Sequence, residues 1–216
     1  MVMELRNYLL KPGARDEFIR YFKKHFIDSQ KSVGASIPAL FTIKNEPDRF
    51  FWLRGFDNMN QRSQFLPAFY GGEVWKKFGP VANDMMLEWQ NVYLVKPLSR
   101  SAAAFANKEG IYVVDFYRSI DNELESLIQL FNKEWIPLHT LENITNITLW
   151  ISEMGENDFP RLPVYQHEDL LILITHYRNE DEYQTMQKHL TTSYNELATA
   201  IDQKIKDKIS VVLYPV

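Results

Sequence analysis

Ten pairs of residues set 109 positions apart match in chemical type along the first part of this chain. They are Leu5/Val114, Tyr8/Tyr117, Phe18/Leu127, Ile19/Ile128, Phe22/Phe131, Lys24/Lys133, Phe26/Trp135, Ile27/Ile136, Leu40/Leu149 and Phe41/Trp150, aligned without a gap. A shared apolar phase through a strand, a helix and a second strand marks a tandem duplication. Further on the offset grows to about 121, because the second copy carries a longer loop over 154–168. A length of 216 residues suits one large domain or two small ones, and either buries a sizeable core.

The elements of one copy follow from local patterns. Residues 3–10 alternate, with Leu5, Asn7 and Leu9 on one side and Glu4, Arg6, Tyr8 and Leu10 on the other, which predicts a strand with two occupied faces. Lys11-Pro12-Gly13 is a turn, and from Asp16 the spacing shifts to helical, with Phe18, Ile19, Phe22, Phe26 and Ile27 on one face. Strands are expected at 37–43 and 50–56, joined as a hairpin over Asn45-Glu46-Pro47-Asp48. A helix is expected at 58–69, and another at 73–86 interrupted at Gly79-Pro80, before a strand at 89–95. The second copy gives strands at 112–118, 147–153, 169–177 and 209–215, with helices at 121–132 and, in two pieces, 180–206. The order βαββαβ is the ferredoxin-like plan. The expected organisation is a domain at 1–98, a small and polar linker at 99–109, and a second domain at 110–216.

A four-stranded sheet with both helices on one side leaves its other side bare. In FFWLRGF (50–56) large apolar groups occupy both sides, Phe51 and Leu53 against Phe50 and Trp52, so neither face suits water. Covering a few hundred Å2 of such surface with the sister sheet is worth on the order of 10 kcal/mol gross. The fold class expected is α+β, two tandem ferredoxin-like repeats forming a dimeric-type α/β barrel, closed within one chain or between two.

The segments ELRNYLLKPGARDEF, FFWLRGF and EVWKKF…VYLVKPL resemble the NIPSNAP family of the dimeric α/β-barrel superfamily, closely over 3–98 and less so over 110–216. Lys96-Pro97-Leu98-Ser99 departs from the Pro-Thr expected there. The resemblance implies the fold and self-association through the barrel. It carries no catalytic motif, because that family has no settled activity. Superfamily relatives include cofactor-free monooxygenases and haem proteins, with pockets between sheet and helices.

Composition removes several classes of chemistry. Without cysteine there is no disulfide, thiolate nucleophile or cysteine-held metal. The five histidines (25, 139, 167, 176 and 189) form no metal-binding spacing, and no P-loop, G-x-S-x-G or G-x-G-x-x-G occurs. Neither a metal nor a cofactor is expected. A net charge of −4 without a basic block argues against nucleic acid as a partner. No apolar run approaches the roughly 20 residues of a membrane span, and the amino-terminal pattern lacks the order of a signal peptide, so a cytoplasmic protein is expected.

The candidate ligand-binding residues are Arg6, Tyr8, Trp52 and Arg54, on two strands that neighbour each other in this plan. Guanidinium groups beside aromatic faces would grip an anionic or polar aromatic molecule. Two functions stay open: a small-molecule pocket, extending to a cofactor-independent oxygenase, or a non-catalytic interaction module in which Glu4 pairs with the arginines and the aromatics pack. No residue is assigned a catalytic role. The Trp75/Phe78 stretch reads as helix packing.

Overall fold

The computed structural model describes residues 1–98, 105 and 107–216. Of the linker expected at 99–109, residues 99–104 and 106 lie outside the described residues. The chain forms two compact units, Met1–Lys96 with Ser152–Gln166 and Val216, and Pro97–Ile151 with His167–Pro215.

The first unit contains β1 (Val2–Leu10), α1 (Arg15–His25), α2 (Ile27–Ser32), β2 (Leu40–Ile43), β3 (Glu46–Phe56), α3 (Met59–Tyr70), α4 (Glu73–Met85), β4 (Met86–Glu88) and β5 (Val92–Pro97). Its main sheet has the antiparallel order β2-β3-β1-β5. One side of that sheet meets the helices in an aromatic core of Tyr8, Phe18, Phe22, Phe26, Phe50, Trp52, Phe65 and Phe69. Rings there meet mostly edge to face, as Trp52 does with Phe22 at 4.7 Å between centroids, the arrangement that ring quadrupoles favour.

The second unit contains β6 (Ile111–Ser119), α5 (Leu124–Leu130), a π-helical turn (Phe131–Trp135), α6 (Ile136–Leu141), β7 (Ile147–Ser152), β8 (Leu170–Tyr177), α7 (Glu180–Thr192), α8 (Asn195–Asp202) and β9 (Ile205–Pro215). Its order, β9-β6-β8-β7, is that of the first unit. Register repeats too. Glu4, Arg6 and Tyr8 lie opposite Arg54, Trp52 and Phe50, while Val113, Asp115 and Tyr117 lie opposite Thr175, Leu173 and Leu171. Offsets of 109 on the first strand and 121 on the third carry one set onto the other. The Asn58 side chain accepts a hydrogen bond from the Gln61 amide at 2.9 Å, and Asn179, 121 positions later, accepts from Glu182 at the same distance. Each caps its helix by satisfying a free amide of the first turn.

Local departures have local causes. β2 begins at Leu40, not 37, since Pro38 has no amide to give the ladder. β3 begins at Glu46, because Asn45 adopts φ +60° and turns the chain within two residues. α4 runs through Gly79-Pro80 without interruption; the carbonyl that Pro80 leaves unpaired belongs to exposed Lys76, where water can take it. α5 starts at Leu124 because Asn122, at φ +67°, sits in a turn.

Candidate functional site

Glu4, Arg6 and Tyr8 project from β1 toward the helices, and Trp52 and Arg54 do so from β3. At the centre stands the Glu4 carboxylate. One oxygen, Oε2, accepts from Arg6 Nη1 at 2.7 Å and Arg54 Nε at 2.8 Å; Oε1 accepts from Nε of Arg62, on α3, at 2.8 Å. All four side chains have no exposure to solvent. Burial alone would raise the Glu4 carboxyl, but the guanidinium groups of Arg54, Arg6 and Arg62 overcome that and hold it well below the usual carboxylate range.

The remaining contacts are to neutral groups. Arg54 Nη1 donates to Gln30 Oε1 at 3.1 Å and to the Tyr70 hydroxyl at 3.3 Å. Arg62 Nη1 donates to Asn157 Oδ1 at 2.9 Å, and Arg6 Nε donates to the Tyr8 hydroxyl at 2.9 Å. Burial pushes the Tyr8 phenol up against the pull of Arg6, so the hydroxyl keeps its proton and has it to donate. Arg6 Nη2 has no hydrogen-bond partner among the described residues.

Beside Arg6 and Tyr8 lies a cavity of about 350 Å3. Its walls are aromatic: Tyr70 stacks on Phe159 at 5.9 Å and meets Trp75 edge-on at 4.8 Å. Trp75 is held in place by close approach to Gly79, where a Cβ would lie 2.7 Å from the indole ring. Asn83, Met86, Trp89, Arg161 and Leu162 complete the lining. Phe159, Arg161 and Leu162 come from the long loop of the second repeat, which packs with the first unit. That loop is tied down by Asn157 on Arg62, by Asp158 on the Ser63 hydroxyl, and by Leu162 in the aromatic core.

The four expected residues thus separate. Arg6 and Tyr8 line the large cavity. Trp52 lines an adjoining space of only about 20 Å3, and Arg54 lines neither, being engaged with Glu4. Arg62, Phe159 and Arg161 carry no local sequence signal of a site, and the helical spacing of Trp75 and Phe78 reads as packing. The one signal for the loop residues is the jump in offset from 109 to 121, which marks an insertion in the second copy alone.

An α+β chain of two ferredoxin-like repeats, with a sheet-to-helix cavity in one of them, defines the structural class. No family model matches the sequence, and no curated protein matches it. Solved structures do. A monooxygenase-like protein from Lactobacillus acidophilus shares 15% identity, with 99% of this chain and 93% of that one covered, at a TM-score of 0.66. An anthrone oxidase-like protein shares 7% identity over 100% of this chain and 91% of its own, at 0.63. These likenesses show the fold, the dimeric α/β-barrel type. A NIPSNAP-family protein of unknown function from Agrobacterium tumefaciens matches 47% of this chain and 92% of its own, at 21% identity and a TM-score of 0.43. Among the described residues no helix is long and apolar enough to cross a membrane, and no group of three or more acidic or imidazole side chains is placed to hold a metal ion.

Proposed function

We propose that the first unit binds a small organic molecule in this cavity, in contact with Arg6 and Tyr8. The cavity itself carries the reading. Its volume falls in the range of ligand pockets, its walls are aromatic, and a few polar groups converge at one end. A module built only for packing or interaction would be expected to close such a space, since interiors pack to crystal density. Asn83→Trp tests this from the exposed rim. The substitution should abolish retention of a co-purifying ligand, read by native mass spectrometry of protein from its own host, while leaving the melting temperature unchanged. Undiminished retention would overturn the proposal.

A cofactor-independent oxygenation is the second reading. The whole-chain likeness to monooxygenase-like and anthrone oxidase-like proteins favours it, as do the Arg6 and Tyr8 donors, which suit a substrate anion. In such a reaction that anion reduces dioxygen, CH2 + O2 → C=O + H2O. Among the described residues no base lines the cavity, so the anion must form in solution. Dioxygen uptake with anthrone that rises with pH as the substrate ionises, and that disappears in the Asn83→Trp variant, is the expected result; no uptake leaves binding as the function.

A further inference from the structure

We infer that the occupant of the cavity is an organic acid bound as its anion, a flat aromatic carboxylate that meets Arg6 and Tyr8 at the inner end and Arg161 at the mouth. This rests on the cavity being a binding site.

Charge does not balance within the buried network. Glu4, Arg6, Arg54 and Arg62 are all fully buried, one negative and three positive, and their other partners, Tyr8, Gln30, Tyr70 and Asn157, are neutral. Among the described residues, two positive charges are left without a counter-charge in the core of the unit. A buried charge is tolerated when paired and is costly otherwise. A carboxylate entering the cavity supplies one of the two missing charges, beside the one guanidinium of the three that lines it.

The cavity wall selects which anion fits. None of the ten lining residues is a carboxylate or an imidazole. Nothing in the wall repels an anion, and nothing there would take a proton from a weak acid. The ligand therefore arrives already ionised. A carboxylic acid, ionised above about pH 4, meets that condition, and a phenol, ionised near 10, does not. Arg6 Nη2 without a partner and the Tyr8 proton are the donors available to it at the inner end. Tyr70, Phe159, Trp75 and Trp89 give the remainder of the molecule aromatic faces and edges, which suit a flat ring. Arg161 is exposed and brings a further cation from the inserted loop.

Isothermal titration of the full chain with 2-naphthoate and 2-naphthamide, which share a shape and differ in charge, tests the assignment. The acid should bind about tenfold or more tightly than the amide, the difference between a charged and a neutral hydrogen-bonded pair. Arg161→Gln, at an exposed side chain that folding does not need, should weaken the acid several-fold and leave the amide unchanged. Equal affinities, or tighter binding of the amide, would overturn the charge assignment while leaving the cavity reading intact. Failure of both compounds to bind at millimolar concentration would overturn both. An unchanged acid affinity in Arg161→Gln would overturn the part given to Arg161.

Discussion

On the helix-facing side of its sheet the first unit places Glu4, Arg6 and Arg54; at the matching ladder positions the second places Val113, Asp115 and Thr175. The helical partners differ in the same sense, with Gln30 and Arg62 in the first unit where the second has His139 and Tyr183 at the corresponding offsets. The second unit keeps one carboxylate near this position, Asp115, and pairs it with part-exposed Lys208 at 3.2 Å rather than with buried arginines. One backbone thus carries two interiors: a charged network of four buried side chains beside a cavity, and an interior of mostly neutral groups. Nothing in the β-ladder requires the charged version. Its arginines cost desolvation that the neutral version avoids, an asymmetry that supports the binding site proposed for the first unit.

The contrast is open to tests of decreasing size. Glu4→Gln strands three buried guanidinium groups and should cost about 3–5 kcal/mol, whereas Asp115→Asn, at a buried carboxylate whose partner Lys208 is part-exposed and can turn to water, should cost less, about 1–2 kcal/mol. Urea unfolding midpoints compare them, and equal losses would erase the distinction. Replacing the whole network together, as Glu4→Leu, Arg6→Met, Arg54→Met and Arg62→Met, should cost less than Glu4→Gln alone, since no unpaired charge is left behind. A larger loss would show that the arginines are needed for the fold. Asn157→Ala removes a neutral partner of Arg62 and should cost about 1–2 kcal/mol by the same measurement, with hydrogen exchange rising over 154–166.

Acid should separate the units by pH. His139 is buried, and burial lowers its imidazole below the ordinary 6.5. The unfolded chain then binds the proton more readily, so this contribution is present above about pH 6.5 and is lost as pH falls through that value. The Glu4 carboxyl is also depressed, from 4.5, so its contribution holds at that pH and is lost only as pH drops below about 4.5. Amide exchange followed from pH 7 to 4 should therefore loosen the second unit first. His139→Gln should remove the upper step; simultaneous loosening of both units would contradict the comparison.

The fold was legible because its determinants are local and periodic. The two-sided apolar alternation around Leu5 and Phe51 and the helical spacing from Phe18 to Phe26 needed no long-range information. Arg6 and Tyr8 were legible as a pair by strand parity alone, and so was the role of Glu4 as their neighbour. Arg62 was not, since an arginine on a helix ordinarily reads as solvated, and its burial rests on the second Glu4 oxygen and on Asn157, both remote in sequence. The cavity wall was hidden for another reason. Trp75 depends on its contact with Gly79, and Phe159 reaches Tyr70 from 89 positions away in sequence, farther than any periodicity extends.

The loop that spans 154–166 also changes what can be separated. By sequence it belongs to the second repeat, and by packing it belongs to the first unit. A chain cut after residue 98 would lack Phe159, Arg161 and Leu162 and would leave Arg62 without Asn157, so the first repeat cannot be excised with its site whole. Substitutions in that loop should accordingly behave, in any genetic screen, as lesions of the other repeat. A homodimer of single repeats would carry such a loop in both halves; the duplicated chain carries it once, so the expected stoichiometry is one ligand per chain.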